Sequence, residues 1–238
     1  MFFIQKKRLM VLTIILSITL LNAAIIANKE ENNTVQTVAI PVTNKVIIID
    51  AGHGKPDMGA ESDDGITEEQ INLKIALKLQ NLLEQSGATV ILTRSDENSI
   101  CDINSKTIRQ KKISDVKNRV KIGNESSADI FVSIHLNKIS EEQYWGWQCF
   151  FKKGDDSSNK LAKSIQENLN EAIQKDNKRV AMKLENVYII KNVEIPISIV
   201  ECGFLSNDEE EKQLLEDVYQ NKLAWGIYNG IIDYFYNT

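Results

Sequence analysis

The chain contains two histidines, His53 and His135, and each closes a strongly apolar run. Val46-Ile47-Ile48-Ile49-Asp50 leads into Ala51-Gly52-His53-Gly54, and Ile130-Phe131-Val132-Ser133-Ile134 leads into His135. Such β-branched runs read as buried strands, and the ligands of α/β proteins gather at the carboxyl ends of strands. Two imidazoles in that position point to a shared metal ion, with Glu68 and Glu69 as acidic partners. A catalytic zinc takes three protein ligands from His, Glu, Asp or Cys and keeps one position open. Such an ion lowers the pKa of water to about 7 and polarises a carbonyl, which permits amide hydrolysis at neutral pH. The reaction also needs a carboxylate to take a proton from the water and pass it to the leaving nitrogen. Glu201 closes the run Ile197-Ser198-Ile199-Val200, where an acidic residue is costly unless paired or functional.

Spacing alone does not select this chemistry. The residues are far apart, unlike a local HExxH helix, so metal ligation stands beside structural or substrate-contacting histidines. Glu68 and Glu69 are also equivalent at this level, although adjacent helical positions lie about 100° apart and only one can face the sheet end. Gly52-His53-Gly54-Lys55 does not make a phosphate loop, because the GxxxxGK[ST] pattern is absent and Pro56 follows the lysine. Cys202 reads as a small buried apolar residue rather than a nucleophile.

Elements able to position these groups alternate along the chain. Ile71, Ile75, Leu79, Leu82 and Leu83 give Ile66–Ser86 a helical face, which Gly87 terminates. Thr89–Thr93 reads as a short strand, and Ile113, Val116 and Val120 place a helix before the strand ending at His135. Gly146–Phe151 reads as a strand, and Leu161, Ile165, Leu169 and Ile173 mark a third helix. Val187–Ile190 and Ile197–Glu201 read as further strands, and Leu214–Phe235 as a last helix. The expectation is one α/β domain, with a mostly parallel or mixed sheet covered by helices on both faces. Asn137, two residues past His135, faces the same side if its strand continues and could contact substrate. Asn72, one turn beyond Glu68, could orient it. Arg94 and Arg119 read as structural ion-pairing residues. Trp145 and Trp147 alternate about Gly146, so one of them is expected nearer the surface.

The 238 residues carry a net charge of −5 and a 42% hydrophobic share. That is enough apolar material for a real core, and the acidic balance argues against nucleic acid as a partner. Arg109-Gln110-Lys111-Lys112 reads as a solvated face. Lys6-Lys7-Arg8 precedes the apolar stretch from Leu9 to Leu21, a pattern that predicts export, either as a cleaved signal peptide or as a retained membrane anchor over residues 1–27. No Cys follows directly, which argues against a lipoprotein. Residues 28–44 read as a polar linker, and residues 45–238 as the catalytic domain.

A resemblance sharpens this reading. Asp50-Ala51-Gly52-His53-Gly54, Asp57-Met58-Gly59-Ala60, Gly65-Ile66-Thr67-Glu68 and Asn72-Leu73 resemble the opening of the zinc-dependent N-acetylmuramoyl-L-alanine amidases with an AmiC/LytC-type catalytic domain. The likeness continues through Leu92-Thr93-Arg94, Arg119, Asn124, Ala128-Asp129 and Ser133-Ile134-His135-Leu136-Asn137. It closes with Val200-Glu201-Cys202-Gly203-Phe204-Leu205-Ser206-Asn207. By resemblance, His53, Glu68 and His135 hold zinc and Glu201 is the catalytic carboxylate. Family members commonly carry Pro where Ala51 stands and Lys where Glu69 stands; neither position is a ligand. The layout of leader, linker and catalytic domain, with Asp-Ala-Gly-His-Gly, is similar to the spore-cortex amidases that act with a deacetylase to make muramic-δ-lactam. The resemblance implies peptidoglycan as substrate, and an exported protein partner or activator is a further expectation. Alternatives are a vegetative autolysin of the same activity, a zinc peptidase acting on stem peptides, and a non-catalytic wall-binding module. Intact His53, Glu68, His135 and Glu201 argue against the last.

Overall fold

Strand alternation divides the apolar residues between two cores. Along Val46–Ala51 (β1), Ile47, Ile49 and Ala51 enter one core while Ile48 enters the other. Along Ile130–Asn137 (β3), Ile130, Val132, Ile134 and Leu136 join the first core and Phe131 the second. Successive strand residues point to opposite sheet faces, so both faces must be covered. They are: the larger core receives the helices Glu68–Gln85 (α1), Asp156–Ile173 (α3) and Asp217–Tyr236 (α6). The smaller one receives Ile108–Glu125 (α2) and Tyr188–Asn192 (α4). Asp208–Leu215 (α5) precedes α6. The remaining strands are Thr89–Leu92 (β2), Gln148–Lys152 (β4), Met182–Leu184 (β5) and Ile197–Phe204 (β6).

The sheet order is β2-β1-β3-β6-β4-β5. β2, β1, β3 and β6 run parallel, whereas β4 pairs antiparallel with β6 and parallel with β5. The expected α/β domain with a mixed sheet and helices on both faces is therefore the one observed. This computed structural model describes residues 6, 10, 13–23 and 39–238. Ile40–Thr238 forms one compact unit. The folded unit thus takes in the end of the expected linker, and Val42 is fully buried in the larger core. Residues 13–23 are helical, while most of the expected leader and linker lies outside the described residues. No helix among the described residues is long and apolar enough to cross a membrane.

Two elements differ from expectation. Val187–Ile190 forms not a strand but the start of the one-turn helix α4, and β5 at Met182–Leu184 takes the edge position instead. A four-residue apolar run is compatible with either state. A helical turn carries Ile189, Ile190 and Val193 together into the smaller core, which an alternating strand would not do. The last helical stretch is two helices, broken at Glu216, where the backbone is extended.

Candidate active site at the carboxyl end of the sheet

The parity that builds the smaller core also points Asp50, Ser133, His135, Asn137 and Glu201 toward α2 and α4. His135 and Glu201 are register partners on the adjacent parallel strands β3 and β6. Neighbouring strands lie about 4.8 Å apart, so their side chains enter the same space. That space is a cavity of about 440 Å³ lined by His53, His135, Asn137 and Glu201, with Val116 and Tyr188 on its apolar wall. β3 continues to Asn137, placing it on the cavity beside His135 as the strand parity requires.

Glu68 arrives from the other side of the sheet. Thr67 is the N-cap of α1, so Glu68 stands at the first helical position, where a carboxylate complements the helix dipole. Its Oε1 accepts from Leu136 N at 3.0 Å and lies 3.0 Å from His135 Nδ1. Its Oε2 accepts from Ala60 N at 2.8 Å and lies 3.3 Å from His53 Nε2. Asn72 donates to Oε1 at 3.3 Å, as its position one turn on anticipates. Glu69 turns away, its Oε1 facing the Thr67 hydroxyl at 3.4 Å. Donor atoms of His53, Glu68 and His135 all lie within 4.8 Å of one another. Two imidazole nitrogens and one carboxylate oxygen form a donor set suited to a catalytic zinc.

Charge distribution follows from this crowding. Burial works to raise the Glu68 carboxyl, yet the two imidazoles hold it well below the usual carboxylate range. Burial also disfavours charge on His53, but Asp57 and Glu68 outweigh it and bring the ring up to about 9. Glu201 goes the other way. Burial, helped by the negative Glu68, pushes it up to about 7 against the pull of His135 and His53. Its buried Oε2 has no hydrogen-bond partner. A carboxyl poised near neutrality beside a donor cluster is the arrangement a proton-transfer group needs.

A family model described as N-acetylmuramoyl-L-alanine amidase matches residues 47–233. The chain belongs to the N-acetylmuramoyl-L-alanine amidases. Over 97% of its length the amidase is 32% identical to the germination-specific N-acetylmuramoyl-L-alanine amidase of Bacillus subtilis strain 168, covering 97% of that protein. It is 29% identical to the amidase LytC of the same organism, over 82% of this chain and 36% of LytC. Among solved structures, the CwlD amidase of Clostridioides difficile, in complex with the GerS lipoprotein, is 46% identical and superposes with a TM-score of 0.80. That match covers 82% of this chain and 100% of the other.

Two buried arginines hold the His53 turn of the amidase in place. Arg119, on α2, pairs with Asp50 at 2.5 Å and Asp115 at 2.7 Å. It also donates to the carbonyls of Ala51 and His53. Arg119 is therefore the ion-pairing residue that the sequence suggested. Arg94 differs, since its hydrogen-bond partners are the carbonyls of Ala51, Gly52, Glu69 and Asp96 rather than carboxylates. Burial tends to raise the Asp50 carboxyl, but Arg119 and the hydroxyls of Ser133 and Thr93 keep it below its ordinary value. Because His53 has a φ of 62°, a conformation that L-residues rarely adopt, the turn needs this external support. Arg119→Met is expected to lower the unfolding free energy by about 3–5 kcal/mol, since it strands two buried carboxylates. Denaturant titration checks this, and a loss under about 1 kcal/mol, the range of an exposed pair, contradicts the role.

Glycines make room for the cluster. A Cβ on Gly52 would collide with the His135 ring. A Cβ on Gly59, at φ +73°, would lie 2.8 Å from the His53 ring and 2.5 Å from Glu68 Oε2. Trp147 is fully buried with its Nε1 donating to Asn170, whereas Trp145 is only partly buried and lies beneath Lys175. Cys149 and Cys202 are free and fully buried, and burial pushes both thiols up, as suits an apolar role. Two residues without a predicted site role stand at the cluster. Asp57 lies 3.2 Å from His53 Nδ1, and Lys112 lies 2.7 Å from Asp57. Lys112 belongs to the segment read as a solvated face; its side chain is half-exposed, but its ammonium has this specific partner.

Proposed function

We propose that this amidase hydrolyses the bond between the lactyl group of N-acetylmuramic acid and L-alanine in peptidoglycan, using zinc, and that it acts in spore-cortex maturation. The observation that carries the chemistry is the unpartnered, buried Oε2 of Glu201 in a cavity shared with His53 and His135. His53, Glu68 and His135 would hold the ion. When bound, zinc supplies Lewis acidity, polarising the amide carbonyl and acidifying water. Glu201 takes the proton of the attacking water at its carboxylate and returns it to the leaving nitrogen of L-alanine. Asn137 is the proposed polar contact to substrate. The apolar wall around Val116 and Tyr188 is the proposed contact for the methyl-bearing parts of the substrate.

The cortex role is supported by likeness to the germination-specific enzyme of Bacillus subtilis along almost the whole of both chains. The Lys6-Lys7-Arg8 segment and the apolar stretch after it are proposed to direct export, as a signal or a retained membrane anchor. The complex formed by the Clostridioides difficile relative supports a proposed exported protein partner for this chain as well.

Mass spectrometry of purified peptidoglycan, incubated with the full chain and zinc, is expected to show free stem peptides beginning at L-alanine and intact glycan strands. Peptides cut internally, with L-alanine still on muramic acid, would make the enzyme a zinc peptidase. In a spore-former, deletion should give cortex without muramic-δ-lactam and poor germination. Normal lactam with growing cells that fail to separate would assign a vegetative wall role.

A further inference from the structure

Asp57 has no part in the chemistry above, yet its carboxylate is committed at both oxygens. Oδ2 lies 3.2 Å from His53 Nδ1, while Oδ1 lies 2.7 Å from Lys112 Nζ and accepts from Gly59 N at 3.3 Å. Reciprocal backbone hydrogen bonds of 2.9 Å between Gly54 and Asp57 close the loop and bring this side chain back onto the histidine. Asp57 stands outside the group of donors that lie within 4.8 Å of one another, so its place is behind a ligand rather than among the ligands. We propose that Asp57 is a positioning residue for the metal centre. It holds His53 through Nδ1 so that Nε2 is the nitrogen turned toward Glu68, and Lys112 holds Asp57 in turn.

The two imidazoles differ in what fixes them. His135 stands on a central strand, its ring against Gly52. His53 projects from a loop at a φ of 62°, outside the sheet ladder, so although the two rings are similarly exposed its orientation depends more on side-chain partners. A carboxylate on the far nitrogen of such a ring selects the tautomer and orientation, and raises the basicity of the ligating nitrogen. With Nδ1–H donating to Asp57, the lone pair on Nε2 is left for the ion. The pairing also links α2, which carries Lys112, to a loop that follows β1.

This inference rests on the zinc reading, and the test separates the two. Zinc affinity is measured on the full chain by competition with a chromophoric chelator, alongside the unfolding midpoint of the metal-free protein. Asp57→Ala is expected to weaken zinc by about 10–100-fold, and Asp57→Asn, which keeps an acceptor, to recover part of the loss. Lys112→Met removes a half-exposed pair and should weaken zinc only about two- to fivefold, with the metal-free midpoint unchanged. Long-range ¹⁵N spectra of the zinc-loaded chain add a direct readout, because its two histidines give two spin systems. The His53 pattern should show Nε2 ligation in the unmodified chain and a mixture in Asp57→Ala. Unmodified chain and Asp57→Ala binding zinc equally, with one His53 pattern, overturns the inference alone. If Asp57→Ala does not fold, undiminished affinity in Lys112→Met and Asp57→Asn does the same. An unmodified chain that binds no zinc sinks the metal reading and this inference with it.

Discussion

His53→Ala or His135→Ala is expected to abolish measurable hydrolysis together with most of the proposed zinc binding. Each removes one of three donors that lie within 4.8 Å of one another, and two remaining ligands cannot hold a catalytic ion tightly. Both side chains are partly exposed, at 26% and 21%, so neither truncation hollows out the core. The folded chain should therefore survive, and the loss should be visible by elemental analysis of protein with a native unfolding transition. Stoichiometric zinc in both variants is the result that would remove the metal assignment. Glu68→Ala should behave alike but less cleanly, since Glu68 also accepts the backbone amides of Ala60 and Leu136.

Glu201→Gln is expected to separate binding from chemistry. The side chain keeps its shape but can no longer shuttle a proton, so the rate should fall by about 10²–10⁴-fold while the fold and the bound zinc remain. The reasoning is geometric: Glu201 faces the cavity with His135 but is not one of the three clustered donors. Comparing activity per bound zinc decides the matter. A variant that loses metal yet retains its activity per zinc would make Glu201 a ligand instead of a proton carrier.

The sequence by itself determined the ends of the elements at which chemistry stands. Apolar runs entering His53, His135 and Glu201 are strands because β-branched stretches of that length bury well in a parallel sheet. Alternation with amphipathic helices then required a sheet covered on both sides. The period of two even placed Asn137 with His135. The decisions left to tertiary structure concern which distant groups meet. Periodicity reports the face a residue occupies and carries nothing about separation across the fold. Glu68 and Glu69 are equivalent in the sequence; only the start of α1 at Glu68, behind the N-cap Thr67, aims Glu68 alone across the sheet end. Val187–Ile190 became a helical turn because a short apolar run takes whichever state the surrounding core can accept. Arg94 looked like an ion-pairing residue and instead binds backbone carbonyls, a choice set by the loop it happens to face. Lys112 read as solvated because a charge on an exposed helix usually is, and its pairing with Asp57 exists only because α2 crosses over the loop that follows β1. Local chain chemistry therefore specified the strands and their polar ends, while the convergence of His53, Glu68 and His135 came from the packing that folds those ends together.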